Sequence, residues 1–354
     1  MTEVFPQYYP RFRCRAAACR HTCCRGWEID IDRETRELYR SVGGALGEKL
    51  RRSIVDGDET ASFRLTADER CPFLLDSGLC QLILELGEAS LCQICTDHPR
   101  FRSFFSDRTE VGVGLCCEAA AALVLTQAEP MRLCVQGAEA LEPEEEAFLA
   151  ARETLFAIAQ ERARPLDERM DELLARTGAA LPEKSGAAWF EVYIKLERLE
   201  PEWEICLAAL QKALALAVPA ALELPAEQLL CYFLYRHLAG ALDDGGFAAR
   251  TAFAVLSTRI VATLWQYGGA QPTEVLHAPA AEAGCVSDLE AQNVPDGEPF
   301  DTASRKAERV SDLEALSAVG LETFCDLARR YSAEIEYSDE NTAALLALLT
   351  PTEI

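Results

Sequence analysis

The segment "CRAAACRHTCCRGW" at residues 14–27 places four cysteines within eleven positions. Arginines separate the cysteines, and a Gly-Trp pair ends the segment. Thiols at this density serve a metal site, a disulfide framework or, less often, simple burial. We identify no secretory signal in the first residues. Because cytosolic thiols are kept reduced, the cluster favours metal binding or catalysis over disulfides.

Three later blocks extend the cluster: Cys71-x8-Cys80, Cys92-x2-Cys95 and Cys116-Cys117. Ten of the chain's 15 cysteines thus lie between residues 14 and 117. Their spacing matches neither a zinc ribbon with paired CxxC knuckles nor a ferredoxin. Zinc and an iron–sulfur cluster therefore remain equal alternatives on spacing alone. Since either centre takes four ligands, some of the ten cysteines are bystanders or a second centre exists.

The charge is distributed unevenly along the chain. The formal net charge is −24: residues 1–134 hold 17 basic and 20 acidic residues, and residues 135–354 hold 17 and 38. This acidity argues against nucleic acid as a partner, because phosphate binding requires clustered Lys and Arg. It favours encounter with a basic protein segment, although a solvated, self-repelling surface explains the same composition. No stretch approaches the roughly 20 uncharged apolar residues of a membrane helix, so we expect a cytoplasmic protein without membrane insertion.

The hydrophobic pattern divides the chain near residue 135. Residues 1–134 are cysteine-rich and irregular, whereas residues 135–354 have helical periodicity. We predict a mainly α fold, in which a cysteine-rich metal-binding head packs on an irregular and acidic helical bundle. Prolines and a lack of large apolar residues predict a long loop near 270–300. The sequence does not indicate an oligomeric state.

Individual helices follow from capping residues and periodicity. "DIDRETRELYRSV" at residues 30–42 predicts a helix with Asp32 as its N-cap. Gln81–Leu86 is interpreted as one or two helical turns, with a short strand as the alternative, and another helix begins after Gly114. In the bundle we predict helices over residues 142–163, 166–178, 187–197, 201–217, 225–242, 246–267, 303–318, 320–331 and 339–349.

Several blocks of the head, taken together, are similar to a known family. They are "PQYYPRFRC", "CCRGWEIDID", "CPFLLDSGLCQL", "LGEASLCQICTDHPR" and "GLCCEAAAAL", all within residues 5–125. In this order they resemble the flagellin lysine-N-methylase family, part of a wider group of zinc- or iron-chelating proteins with a CxxCxxCC-like motif. A fainter similarity extends to "LLCYFLYRHLAGAL" at residues 229–242.

The resemblance implies methyl transfer from S-adenosylmethionine to lysine side chains of flagellin, with a four-iron, four-sulfur cluster taking part. It also implies a set of metal-binding cysteines: Cys14, Cys19, Cys23, Cys24, Cys71, Cys80, Cys95 and Cys116. Cys92 and Cys117 depart from the family pattern and are the weakest ligand candidates. The doubly wound fold of most methyltransferases is not predicted, because no Gly-x-Gly loop follows a hydrophobic strand.

Lysine methylation requires an unprotonated amine, whose ordinary pKa is about 10.4. A site must desolvate this amine or offer a general base. Glu118 and Asp30 are the candidate catalytic carboxylates of the head, and Glu118 ranks first because it adjoins a ligand candidate. Trp27 is a candidate for stacking on the donor's adenine, and Arg100 for pairing with the donor's carboxylate. Their alternative roles are a core aromatic and a structural ion pair.

Polar residues elsewhere have two interpretations each. His98, three residues after Cys95, is either a nitrogen ligand or a hydrogen-bonded structural residue. In "CYFLYRHL" at residues 231–238, Tyr232 and Arg236 share one helix face, while His237 lies on another with Phe233. A core stripe with two polar members is the simpler interpretation of this helix.

Two other functional hypotheses stay open. The first is a non-enzymatic module, in which zinc or iron stabilises the head while the acidic part binds a protein partner. The second is redox sensing through the adjacent thiols Cys23-Cys24 and Cys116-Cys117, each of which would pair elsewhere rather than with its neighbour.

Overall fold

The computed structural model describes residues 2–57, 60–137, 140–268 and 318–350. A mixed four-stranded sheet joins the N-terminus to the residues around the last cysteine block. Its strands are β1 (Thr2–Pro6), β5 (Arg100–Phe104), β6 (Arg108–Val113) and β7 (Leu133–Gln136). They lie in the order β5-β6-β1-β7, with β1 parallel to β6 and antiparallel to β7. The sheet therefore holds the first cysteine segment near the last one.

A second, smaller sheet lies between the first two cysteine blocks. Its strands are β2 (Asp30–Ile31), β3 (Ile54–Asp56) and β4 (Ala61–Phe63), in the antiparallel order β2-β4-β3. Four helices surround it: α1 (Arg33–Ser41), α2 (Gly44–Ser53), α3 (Gln81–Leu86) and α4 (Gln93–Asp97).

A separate hydrophobic cluster, the small core, stabilises this region. Its buried residues are Ile29, Ile31, Tyr39, Leu46, Leu50, Ala61, Phe63, Cys71, Phe73, Leu82 and Cys92. Three more cysteines, Cys24, Cys80 and Cys95, pack against it while partly exposed. The thiols thus occupy positions that aliphatic side chains fill in an ordinary core.

The rest of the described chain is helical. Its helices are α5 (Glu118–Leu125), α6 (Pro143–Ala159), α7 (Leu166–Thr177), α8 (Gly186–Tyr193), α9 (Glu202–Leu207), α10 (Glu223–His237), α11 (Ala241–Asp244), α12 (Phe247–Gly268), α13 (Ala318–Tyr331) and α14 (Asp339–Leu349). The central pair, α10 and α12, is apolar around most of its circumference and buried accordingly. These helices and the four-stranded sheet share one hydrophobic cluster, the main core.

Buried ion pairs fasten the sheet and the helices to each other. Glu110 on β6 is 1% exposed and accepts hydrogen bonds from Arg152 on α6, with Nη1 and Oε2 2.7 Å apart, and from Arg108 Nε at 2.8 Å. Glu227 on α10 accepts from Arg169 Nη1 on α7 at 2.8 Å. Charges buried in this way need their partners, because an isolated buried charge is strongly unfavourable.

The mainly α prediction is confirmed, but the strands were not predicted. β6 is buried at five of its six residues, so it lacks the alternation of buried and exposed residues that marks a half-buried strand. β1 has only five residues and β2 only two. Segments this short leave too few positions for a period to be recognised.

The helix predictions have mixed outcomes. The N-cap is confirmed, because Asp32 Oδ1 accepts a hydrogen bond from Thr35 N at 2.9 Å, and Gln81–Leu86 is helical. The helix predicted over 201–217 is wrong beyond residue 212. After α9 the chain makes one 3₁₀ turn, Ala208–Lys212, and then extends, because the Ala213 carbonyl accepts from Gly186 N of α8 instead.

Some predictions concern residues outside the described ranges or stay untested. The loop near 270–300 and all but the last residue of the helix predicted over 303–318 lie outside the described residues. The division at 134/135 stays a prediction. Helix α12 is long and apolar enough to span a membrane. However, 78% of its most apolar 18-residue stretch is buried inside the protein, as expected of a core helix.

Candidate metal centre and its surroundings

The first cysteine segment follows an irregular path that neighbouring backbone holds in place. Cys71 N donates to Cys24 O at 2.8 Å, and Gly26 N donates to Glu69 O at 3.0 Å. Gly26 adopts a positive φ of 79°, which a residue with a side chain rarely does. These hydrogen bonds bring the adjacent cysteines Cys23 and Cys24 beside the second cysteine block, which begins at Cys71.

Five cysteines lie in the small core or at its margin and form what we call the inner cysteine group: Cys24, Cys71, Cys80, Cys92 and Cys95. The Sγ atoms of Cys92 and Cys95 lie 3.4 Å apart. Cys71 lies within electrostatic range of Cys24, Cys80 and Cys92. Cys92, the weakest candidate from the resemblance, is therefore surrounded by the stronger ones.

Four other cysteines lie around the start of α5 and form the outer cysteine group: Cys14, Cys19, Cys23 and Cys117. Cys117 lies within electrostatic range of Cys14, and Cys19 within range of both. Cys117 immediately precedes the first turn of α5, so its position is fixed by that helix. The adjacent pair Cys23-Cys24 spans the two groups.

Two thiol pairs hold a sulfur that loses its proton easily. Cys23 and Cys24 share a hydrogen bond that lowers the pKa of Cys24 to about 7. The hydrogen bond between Cys92 and Cys95 likewise lowers the pKa of Cys92. Burial instead raises the pKa of Cys71 to about 12. Deprotonation of Cys24 is therefore accessible near neutral pH, and the thiolate is the form that binds metals.

Cys116 faces the helical part of the chain, although it lies within electrostatic range of Cys117. Its thiol hydrogen-bonds to Tyr337, and burial raises its pKa to about 12. Gly114, two residues earlier, permits this approach, because a Cβ there would collide with the Tyr337 hydroxyl. Between the two adjacent cysteines, the structure places Cys117 with the other thiols and turns Cys116 toward the helical part.

Thiols grouped in this way are suitable ligands for a soft metal. Their sulfur atoms, however, are not arranged around one common point. Within the described ranges, no three His, Cys, Asp or Glu side chains stand close enough together to hold an ion. Thiolates are the ligands that both zinc and iron–sulfur clusters take. Of the nine thiols in the two groups, Cys14 and Cys23 are the exposed ones.

Glu118 clamps the first cysteine segment onto α5. Its Oε2 accepts from Arg20 N at 2.9 Å and from His21 N at 3.3 Å, while Oε1 lies 3.4 Å from Arg15 Nη1. Both carboxylate oxygens are thus engaged in holding the loop. Asp30, the other predicted catalytic carboxylate, is exposed on β2 and contacts Thr60 Oγ1 at 3.4 Å.

The two predicted cofactor-binding residues have structural contacts. Trp27 Nε1 donates to Cys23 O at 2.6 Å, and its ring stacks on His98 with centroids 5.6 Å apart. Arg100 lies over the ring of Phe12 at 5.3 Å. The hydrogen bond of its indole thus holds Trp27 against Cys23 of the outer cysteine group. The catalytic and cofactor roles of these four residues stay predictions.

A buried charge cluster around Glu336 was not predicted. The chain makes a π-helical turn at Ser332–Glu336, a geometry often found at functional sites. His237 Nε2 lies 2.7 Å from Glu336 Oε1, Arg236 Nε lies 3.2 Å from it, and Tyr232 OH donates to it at 3.2 Å. Burial opposes ionisation of this carboxyl, but Arg236 and His237 hold the pKa of Glu336 below its usual value.

Helix α10 is buried, in agreement with a core stripe that has two polar members, and Arg236 and His237 both pair with Glu336. The polar pattern of α10 signalled this cluster, but Glu336 comes from a segment some hundred residues later. A cavity of about 610 Å³ lies beside this cluster and is lined by Arg236, Arg250, Asp244 and Asp339, among others.

Comparisons with known proteins agree with the resemblance. Over 139 residues, 38% of the chain, the sequence is 24% identical to a lysine-N-methylase of Salmonella typhimurium and 26% identical to one of Salmonella choleraesuis. The match spans only 35% of the length of these two relatives. The chain is also 24% identical to the flagellar biosynthetic protein FliU of Salmonella muenchen. This match spans 82% of the length of FliU. The predicted resemblance to the lysine-N-methylases is confirmed. No family model and no solved structure matches the chain.

Proposed function

We propose that this chain is a cytoplasmic enzyme that transfers methyl groups from S-adenosylmethionine to lysine side chains of flagellin. We further propose that a four-iron, four-sulfur cluster, bound by cysteines of the head, takes part. The observation that carries the proposal is the gathering of nine cysteines into two groups in a chain similar to lysine-N-methylases. The names of the relatives support lysine methylation and a link to the flagellum, and the resemblance implies flagellin and S-adenosylmethionine.

The inner cysteine group offers the better-shielded ligand set. Cys71 and Cys92 are 7% and 1% exposed, and Cys80 and Cys95 are partly buried around them. We assign these four as the first choice of ligands and Cys24 as the substitute that bridges to the outer group. When bound, such a cluster supplies one-electron chemistry whose potential depends on its shielding from solvent.

The outer cysteine group is the second place for a metal. In it we assign Cys117, rather than Cys116, as the ligand of the last cysteine block. The reason is geometric, since Cys116 hydrogen-bonds to Tyr337 while Cys117 lies in range of Cys14. The Glu118 clamp then fixes the backbone of the segment that carries Cys19.

The charge of the chain supports a basic protein substrate. Residues 135–354 hold 38 acidic and 17 basic residues. A field of this sign attracts lysine-rich surfaces over distances of about a Debye length and raises the rate of encounter. Once an amine enters a shielded site, desolvation favours its neutral form, which is the nucleophile.

The experiment is a transfer assay with protein purified without oxygen. We expect labelled methyl groups to move from S-adenosylmethionine to lysines of flagellin, located by mass spectrometry of flagellin peptides. Cys71→Ser should abolish transfer, whereas the matched variant Cys134→Ser, on β7 outside both cysteine groups, should keep it. A colourless protein that contains only zinc and transfers nothing would contradict the proposal. It would favour the metal-stabilised binding module instead.

A further inference from the structure

The small core contains a polar group that is buried without a partner. Tyr39, on α1, is 0% exposed, and its hydroxyl makes no hydrogen bond within the described ranges of the chain. A buried tyrosine hydroxyl usually has a hydrogen-bond partner, because an unpaired one loses its hydration without compensation. The exception at Tyr39 therefore requires an explanation.

The neighbours of this hydroxyl restrict its possible acceptors. The other buried residues that the structure describes in the small core are aliphatic, aromatic or cysteine residues, none with a side-chain oxygen or nitrogen. Phe63 stacks on the Tyr39 ring with centroids 5.9 Å apart, and Phe73 packs on Phe63 at 5.0 Å. Among these described core side chains, the acceptors are therefore sulfur atoms.

Three sulfur atoms of the inner cysteine group lie near the hydroxyl. Tyr39 is within electrostatic range of Cys92, Cys95 and Cys80, and the interaction with Cys92 is the strongest of the three. All three belong to the four cysteines that we assign as the first choice of metal ligands. The unpaired donor thus lies beside the proposed centre rather than at an unrelated place in the core.

One carboxylate fixes Tyr39 relative to these cysteines. Asp32 caps α1, which carries Tyr39, by accepting from a backbone amide of its first turn at 2.9 Å. The other oxygen of Asp32 accepts from Gln93 N, also at 2.9 Å. Gln93 directly follows Cys92 and begins α4. Both oxygens of Asp32 thus serve backbone amides, and together they tie the helix of Tyr39 to the segment of Cys92.

The acceptor strength of these sulfurs changes when they bind a metal. A neutral thiol is a weak acceptor, whereas a hydrogen bond to a charged group is about twice as strong as a neutral one. Cysteines bind metals as thiolates, so metal binding releases their protons. Tyrosine has an ordinary pKa of about 10, so its hydroxyl remains a donor at neutral pH. The donor and the charged acceptors are therefore present together only in the loaded centre.

We propose that the Tyr39 hydroxyl donates a hydrogen bond to a metal-bound thiolate of the inner cysteine group, with Cys92 as the first choice. This inference rests on the metal centre of the proposed function and adds a residue that stabilises the ligands without binding the metal. Partners of this kind commonly change metal affinity by about 10–100-fold, and they contribute to the potential of iron–sulfur centres. Tyr39 is a positioning residue in this account.

The test measures zinc affinity and metal-free stability in the full-length chain. Tyr39→Phe keeps the ring on Phe63 and removes only the hydroxyl. We expect its affinity for Zn²⁺, measured by competition with a chromophoric chelator under reducing conditions, to fall about tenfold or more. The melting temperature of the metal-free variant should equal or exceed that of the wild type, because the substitution removes an unpaired buried donor.

Tyr331→Phe is the matched control. Tyr331 is also 0% exposed, but it lies in the main core, and its hydroxyl is paired with Ser257 Oγ at 2.8 Å and Tyr193 OH at 3.0 Å. We expect this variant to lower the melting temperature of the metal-free protein and to keep the wild-type affinity for Zn²⁺. The same loss of one hydroxyl should therefore act on affinity in one variant and on stability in the other.

The outcomes separate the role of Tyr39 from the metal centre itself. If Tyr39→Phe binds Zn²⁺ as tightly as the wild type, or lowers the metal-free melting temperature as Tyr331→Phe does, the inference is wrong and the proposed centre stands. If the wild type binds neither Zn²⁺ nor iron, the centre and the inference both fail. In iron-loaded protein, the reduction potential should be lower in Tyr39→Phe, because a hydrogen bond to sulfur favours the more negative, reduced form. An unchanged potential would contradict the inference.

Discussion

The small core and the main core are stabilised in different ways. The main core is filled by aliphatic and aromatic side chains of α10, α12 and their neighbours, with ion pairs such as Glu110–Arg152 fully enclosed. In the small core, Cys71 and Cys92 occupy buried positions, and three more thiols lie at its margin. Since the proposed ligands form part of its interior, we expect the small core to depend on the metal more than the main core does.

The largest expected effect is therefore that of metal removal. After chelation under reducing conditions, amide protection should fall across β2–β4, α1 and α2 and stay high in α10 and α12. The reason is that the proposed metal links separate loops through the inner cysteine group, and chelation removes those links from the small core only. Hydrogen exchange measured by mass spectrometry, with and without chelator, provides the comparison. Equal loss of protection in both cores would contradict it.

The main core should respond instead to the loss of a buried charge. Glu110→Gln leaves Arg152 without a counter-charge inside the protein, so we expect unfolding to become easier by about 3–5 kcal/mol. Glu161→Gln is the matched control, because its pair with Arg164 is about half exposed, and we expect less than about 1 kcal/mol. Urea denaturation, monitored by the circular dichroism of the helices, measures the free energy of unfolding of both variants. Similar effects of the two variants would show that the buried pair has no special role.

The pH response should come from the junction between the two regions. Burial lowers the pKa of His98 to about 4, from an ordinary value near 6.5. Because the unfolded chain binds this proton first, stability is full above about pH 6.5 and falls as the pH decreases toward 4, by about 3 kcal/mol at most. His98→Phe, which keeps a ring against Trp27, should flatten the stability profile in this window. An unchanged profile in that variant would exclude His98 as the cause.

The smallest expected effect is that of a single cap in the small core. Asp32→Ala removes the N-cap of α1 and the acceptor for Gln93 N, 2.9 Å from Oδ2, and should cost about 1 kcal/mol. Asp30→Ala, two residues earlier on the exposed face of β2, should be almost neutral. Thermal unfolding of the metal-loaded protein distinguishes the two. Equal shifts would mean that general charge, rather than capping, is responsible.

Local signals in the sequence predicted the helices better than the partners of the site. The cap at Asp32 and the long apolar run of α12 are encoded locally, so both were identified correctly. By contrast, the choice between Cys116 and Cys117 depends on Tyr337, more than two hundred residues later. Two adjacent cysteines are equivalent in a spacing pattern, and only the direction in which α5 begins separates them.

The same limit applies to Glu336 and Asp326. Neither residue stands out in the sequence, because each is one charged residue among many in an acidic helical region. Their significance comes from burial at contacts between distant segments, such as α10 with the π-helical turn and α13 with the first cysteine segment. The sequence did identify the cysteines as candidate metal ligands, because their density is unusual whatever the spacing between them.

Metal content of two neighbouring variants tests the central claim most directly. Protein purified without oxygen should contain iron and acid-labile sulfide and absorb visible light, and Cys71→Ser, in the first-choice ligand set, should remove most of the iron. At the second place, in the outer cysteine group, Cys117→Ser should lower the metal content measurably. Cys116→Ser, one residue away, should retain the wild-type content, because its thiol faces Tyr337. A wild type without bound metal, or a loss caused by Cys116→Ser and not by Cys117→Ser, would contradict this account.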